Sequence, residues 1–248
     1  MKHCLLNRDN QPPLQYQLRR SERAKKTRIV VSETKIEVVA PMKVSEQRIK
    51  HFVDMQRDWI ETALKRVQQR ARTIHALAPV NYVDSVTVPY HGQQIPLALK
   101  TTSARYPKVQ LLPEQQFLVY LPQSQTENSS DSIKLALENW MKQQARLQAQ
   151  SYINHHSQRY QLHPRSLRIK TQKSRWGSCG PRNDINLNWL LLLAPPVVME
   201  YVVVHELCHI QHKNHSQDFW QLVAAHMPDY LEYRRWLKLH GTSLMRGL

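Results

Sequence analysis

Long apolar runs are missing from this chain. Crossing a bilayer takes about 20 consecutive apolar residues, and no stretch of the 248 approaches that, so a soluble protein is expected. Cysteine is scarce. Cys4, Cys179 and Cys208 are odd in number and widely spaced, which argues against a disulfide framework and fits a reducing cytoplasm. The opening Met1–Leu6 runs directly into Asn-Arg-Asp-Asn, so no secretory leader is expected. There are only five glycines, none of them in a Walker-type phosphate loop, and no repeat of solenoid period occurs.

Acidic residues are also in short supply, 19 Asp and Glu against 35 Lys and Arg, for a formal net charge of +16. Residues 1–75 hold 17 basic and 8 acidic residues, a surplus of 9 that leaves 7 for the remainder. The excess is therefore spread through patterned sequence and does not form a detachable tail. A field of that sign favours polyanions, nucleic acid or nucleotide included, and equally serves solubility.

What the chain does possess is concentrated in one stretch, Val202-Val-Val-His205-Glu206-Leu-Cys-His209-Ile210. In a helix this H-E-x-x-H pattern puts His205 and His209 on one face, about 6 Å apart along the axis and able to share a metal. Neutral imidazoles suit Zn²⁺, which at catalytic sites takes three protein ligands and keeps a position for water. Glu206 stands where it can take that water's proton. The flanking valines imply burial, and burying two imidazoles and a carboxylate without partners is costly. Cys208 points roughly 60° away from His205 on the helix, a packing position.

Several histidines compete for the third ligand. Helix continuation carries His212 roughly 4.5 Å beyond His209, away from the metal, which leaves it a supporting or surface residue. His215 needs a chain reversal, which Lys213-Asn214 allows because Asn tolerates the left-handed conformation. A new helix then starts at 216 with Ser216 as its cap. The His209-x5-His215 spacing equals that of metzincins, although His212 occupies their Gly position. His215 is the expected third ligand. The adjacent His155 and His156 diverge by about 100° on a helix and do not chelate together.

Around this stretch the chain reads as α+β. Residues 1–13 have little pattern and suggest a loose lead-in. Strand-like segments follow at 14–20, 27–31 and 35–40, with basic residues clustered at the first turn. One helix is expected from a Ser45 cap through Arg72. Strands at 85–91, 94–100, 108–112 and 116–121 precede a polar stretch, 123–130, that reads as an inter-domain linker. A long helix over 131–161 leads to strands at 167–171 and 185–189, separated by a shaped loop. Pro196 suits the first turn of the H-E-x-x-H helix, and a last helix covers 230–239. The expected organisation is a strand-rich region with one long helix at 1–125, followed by a zincin-like domain at 126–248.

Five groups of residues, in order, resemble the YgjP-like metallopeptidases, relatives of the SprT-like zinc proteases. They are Lys173-Ser-Arg-Trp-Gly-Ser-Cys179, Asn186-Leu-Asn-Trp189, Ala194-Pro-Pro196, His205 to His209, and Asn214-His-Ser216 with Phe219-Trp220. The match covers roughly residues 130–240, and the strand-rich part before it is also similar. The resemblance implies Zn²⁺ held by His205, His209 and His215, with Glu206 as general base. The family pattern has His at position 212, so the missing metzincin Gly is no defect. Arg175-Trp176-Gly177 is typical of the family, and Arg175 and Trp176 are candidates for substrate binding, Arg175 through a carboxylate, phosphate or oxyanion. A structural Arg175 packed on Trp176 is the competing reading.

The function expected is zinc-dependent hydrolysis of peptide bonds in a peptide or protein substrate. Two other functions are compatible with the residues. One is a zinc-dependent nucleotide phosphoanhydride hydrolase using Arg175 and Lys173 to hold phosphate, and the other is a nucleic-acid-associated SprT-like protease.

Overall fold

The computed structural model describes residues 2–8, 11–32, 35–73, 77–125 and 129–248. Contacts divide the chain into two compact units, Met1–His75 and Ala76–Leu248. The sequence-based boundary after residue 125 falls inside the second unit. Residues 126–128 of the expected linker, like those at the unit boundary, lie outside the described residues.

The first unit is a sheet with two helices. Its strands are β1 (Lys2–Arg8), β2 (Gln11–Arg20), β3 (Arg28–Val31) and β4 (Ile36–Ala40), in the order β1-β2-β4-β3. The expected loose lead-in is thus a correction: β1 pairs antiparallel with β2, and Leu6 is buried in the core beside Leu14, Tyr16 and Leu18. The helix expected after Ser45 forms, with the Ser45 hydroxyl accepting from the Arg48 amide at 3.3 Å. It is two helices, however, α1 (Glu46–Met55) and α2 (Arg57–Thr73). The break at Gln56 coincides with Arg57, whose buried guanidinium donates to the Pro12 carbonyl and to Glu61. Ile49, Val53 and Ile60 continue one apolar stripe across it.

In the second unit the strands β5 (Thr87–Tyr90), β6 (Gln93–Thr102), β7 (Lys108–Leu112) and β8 (Gln116–Pro122) are ordered β5-β6-β8-β7. The β5–β6 hairpin turns through His91 and Gly92 with φ of 50° and 79°, as a tight primed turn requires. This sheet repeats the plan of the first one. In each, an antiparallel hairpin is followed by a third strand and then a fourth that pairs parallel with the second and antiparallel with the third. Helix α3 (Ser130–Tyr160) follows and lays an i,i+4 ridge of Ile133, Leu137, Met141, Ala145, Ala149 and Ile153 into the main core.

A three-stranded sheet comes next, ordered β10-β11-β9 from β9 (Ser166–Lys170), β10 (Gly177–Cys179) and β11 (Asp184–Asn188). The two strands foreseen here, β9 and β11, run parallel. The loop between them contributes β10, antiparallel to β11 and at the sheet edge. A buried 3-10 turn, Trp189–Leu193, then feeds α4 (Pro196–Gln211), which carries Pro196 in its first turn. Helices α5 (Gln217–His226) and α6 (Tyr230–Leu244) complete the unit. The architecture is mixed α+β, and among the described residues no helix is long and apolar enough to cross a membrane.

One buried polar cluster ties these helices together away from the H-E-x-x-H stretch. His156 of α3 lies 3.0 Å from His226 of α5, ring nitrogen to ring nitrogen, and 3.0 Å from Glu200 of α4. The Tyr160 ring lies tilted against His226, with centroids 3.6 Å apart. Burial, then the neighbouring His156 and Arg159, pushes His226 down to about 4. A base whose folded pKa lies below its ordinary 6.5 binds its proton more readily in the unfolded chain. Its contribution to stability is complete above about pH 6.5 and is lost as pH falls toward 4. Thermal unfolding over that range is expected to show a steeper fall in Tm for the native protein than for His226→Gln, and parallel curves would refute this account.

Candidate metal centre

Helix α4 is apolar around its whole circumference: Val198, Met199, Val202, Val203, Val204, Leu207 and Cys208 are all buried. Such a helix must be covered on every side, so the polar residues it carries are surrounded by other elements. His205 and His209 lie one turn apart, with ring centroids 4.9 Å from each other. The helix ends at His212, which is extended at φ −118° and ψ 105°. The expected left-handed Asn214 is not found; the non-glycine residues of positive φ lie elsewhere among the described residues. An extended residue turns its carbonyl off the helix axis and ends the helix just as well. Ser216 then caps α5, its hydroxyl accepting from the Phe219 amide at 3.4 Å.

This reversal returns His215 to the first two histidines. One ligating atom from each of His205, His209 and His215 falls within 4.8 Å of the others, and the Nε2 atoms of His205 and His215 are 3.1 Å apart. Two nitrogens bound to one tetrahedral zinc at 2.0–2.1 Å would be about 3.3 Å apart. His209 Nδ1 is 2.9 Å from the His212 carbonyl, which can only accept, so Nδ1 carries the proton and Nε2 keeps its lone pair. His212 therefore acts through its backbone, fixing the tautomer of a ligand candidate. The three imidazoles fit a divalent metal ion. Phe219 stacks on His209 at 4.6 Å and Trp220 on His215 at 5.6 Å, which holds the ring planes. Burial first, then the neighbouring His209, His215 and Arg234, drives His205 down to about 3. Partial burial with His209 and Arg234 lowers His215 as well. Neutral rings are the metal-binding form.

Glu206 is 5% exposed. Burial pushes its carboxyl up to about 8, opposed by a hydrogen bond from the Cys179 backbone amide. Oε2 has no hydrogen-bond partner. The carboxylate lies against β10 so closely that a Cβ on Gly177 would sit 2.5 Å from Glu206 Oε1. Gly177 is thus required by a close approach.

The loop before β10 is held by Asn188, a fully buried residue the sequence reading had given no role. Its side-chain amide donates to the carbonyls of Gln172 and Arg175 at 2.9 and 3.2 Å, and its backbone amide donates to the Trp176 carbonyl at 2.8 Å. Trp176 in turn packs on α6, where a Cβ at Gly241 would lie 3.2 Å from its Cζ2. Arg175 is exposed and, with Trp176, lines a cleft of about 420 Å³ that also reaches His205 and Glu206. Tyr201 and Arg234 line it too, and no local pattern in the sequence pointed to either. His155 is exposed, and His156 belongs to the cluster described above. Cys208 is a buried free thiol, as expected of a packing residue.

No curated protein and no solved structure matches the chain. The model of the YgjP-like family, metallopeptidase domain, matches residues 25–240. Membership of that family implies a metal ion and a peptide or protein substrate, in keeping with the histidine cluster and the cleft beside it. The chain belongs to the YgjP-like metallopeptidase family.

Proposed function

We propose that this protein is a zinc-dependent metallopeptidase in which His205, His209 and His215 hold Zn²⁺ and Glu206 is the general base. The observation that carries this reading is a buried carboxylate with a free oxygen, Glu206 Oε2, on the same turn as two members of a converging imidazole trio. When bound, Zn²⁺ acidifies a water molecule and polarises the scissile carbonyl.

The chain's own residues supply the rest. The Cys179 amide orients the Glu206 carboxylate, leaving Oε2 to accept a proton from the attacking water and return it to the leaving amine. Burial makes that carboxylate more basic than an exposed one. Arg175 and Trp176 contact the substrate in the cleft. The edge position of β10 suits pairing with an extended peptide. Three free thiols accord with a cytoplasmic setting.

Glu206→Gln is expected to keep zinc and to lower kcat by about 10²–10⁴-fold on an unfolded protein substrate. Retention of native turnover would remove Glu206 from the mechanism. His215→Ala is expected to weaken zinc binding by at least about 100-fold, the upper range for losing a mere supporting partner; unchanged zinc affinity by competition with a chelator would disprove its place as ligand. The basic residues lining the cleft make nucleoside triphosphates a necessary parallel assay. Chelator-sensitive cleavage of those, with peptides untouched, would replace the peptidase reading.

Gly177→Ala separates the carboxylate from the metal. The added methyl must displace Glu206 or β10, at a cost of about 1–3 kcal/mol in denaturant unfolding. Turnover is expected to fall sharply while zinc affinity, which rests on the three imidazoles, stays within a few-fold of native. Full turnover in Gly177→Ala would contradict the close approach described above.

A further inference from the structure

The cleft beside the trio has three walls of different character. Tyr201, Val202, His205 and Glu206 come from α4, Ser174–Gly177 from the clamped loop, and Arg234, Leu237 and Lys238 from α6. Positions 234, 237, 238 and 241 share one face of α6, and Gly241 on that face is where Trp176 seats. The floor is apolar: Tyr201 and Val202 are buried, while Trp176 and Leu237 are partly buried. The rim is cationic, with Arg175, Arg234 and Lys238 all exposed. None of the three takes part in any of the ion pairs found among the described residues. Among the described residues Glu206 is the only carboxylate in the lining.

Arg234 is held in place. Its guanidinium carbon lies 4.6 Å from the centroid of the Trp220 ring, and Trp220 stacks on His215. A guanidinium resting on an aromatic face keeps its N–H fork free for an anion. Arg175 lines the same cleft from a loop pinned by Asn188. Two planar cation forks therefore line a slot whose floor suits an aliphatic stem or backbone.

We infer that this cleft is a carboxylate-recognising subsite: the substrate carries, next to the scissile bond, either an acidic side chain or the free C-terminus of the peptide. The inference rests on the peptidase reading, because a peptide's unmodified anionic groups are limited to those two. Arg234 is its central specificity residue, assisted by Arg175 and Lys238.

The test separates binding from turnover. Zinc-loaded Glu206→Gln is titrated by calorimetry with four peptides: an end-blocked hexapeptide with Glu at its centre, the same peptide with Gln, the same with Lys, and a shortened Gln peptide whose free C-terminal carboxylate falls at the Glu position. Either the Glu or the free-carboxylate peptide is expected to bind about tenfold tighter than the blocked Gln peptide, the scale of one charged hydrogen bond, and the tighter of the two identifies the source. Arg234→Ala should abolish the difference and Arg234→Lys restore part of it. With native enzyme the preference should appear in KM more than in kcat.

Equal affinities for all four peptides, no measurable binding at millimolar concentration, or a preference untouched by both Arg234→Ala and Arg175→Ala would each overturn the subsite. A carboxylate preference in binding without cleavage of any peptide by native enzyme would sink the peptidase reading and leave the subsite standing. Cleavage without preference would do the reverse.

Discussion

Desolvation of α4 is the constraint from which the second unit follows. A helix lined by Val198, Val202, Val203, Val204 and Leu207 gains stability only when each face is covered, at about 25 cal/mol per Å² of apolar surface removed from water. Its coverage comes from α3, α5, α6, the 3-10 turn and β10. Glu206 and His205 share that burial and bear its cost. Burial raises the affinity of the one for a proton and lowers that of the other, so a single environment drives both groups toward neutrality. The Cys179 amide opposes this for the carboxylate, and a cation placed among them would oppose it more strongly. The arrangement makes chemical sense with a metal ion and little sense without one.

Much of this was legible because it is local. The i,i+4 spacing of His205 and His209, the Ser216 cap and Pro196 at the start of α4 are all short-range features, and each lies where the spacing put it. The reversal between His209 and His215 was located correctly, but its conformation was not. The extended His212 ends the helix, and its carbonyl is occupied by the ring of His209 three residues earlier, a side-chain contact that backbone propensity does not encode. Strand β10 escaped notice because Gly177-Ser-Cys179 is too short to show alternation. Asn188 and Arg234 escaped for a related reason. The loop carbonyls that Asn188 reaches and the Trp220 ring under Arg234 lie 12 or more residues away along the chain, and only the fold brings them together.

The organisation of the chain was less legible than its chemistry. A polar run at 123–130 reads as a linker, yet Val88, Leu97, Phe117 and Val119 before it share one core with Ile133, Leu137 and Met141 after it. Polarity marks where the backbone meets water, and that is not the same as where a core ends. The shared plan of the two four-stranded sheets was hidden for the opposite reason. Order and direction of pairing are properties of hydrogen-bonding partners, and any sequence with the right alternation satisfies them. Leu14, Tyr16 and Leu18 in one sheet and Ile95 and Leu97 in the other meet the same requirement with no common motif.

The charge of the chain has a local counterpart at the site. A net charge of +16 is by itself compatible with solubility or with any polyanion. Its meaning sharpens where cations outside any ion pair among the described residues border a buried carboxylate and three imidazoles. A dication among those imidazoles would leave the cleft with Arg175, Arg234 and Lys238 balanced by Glu206 alone. A neutral peptide segment would leave that excess uncompensated in a partly desolvated space, where charges interact more strongly than in water. A substrate carboxylate offsets it at the point where the bond is broken, so the electrostatics that favour binding also favour the reacting register over others. The basic surface elsewhere on the chain confers no such register, because it is solvated and screened within about 8 Å at physiological ionic strength. Selectivity on this reading comes from a few cations held on aromatic and backbone partners and owes little to the total charge.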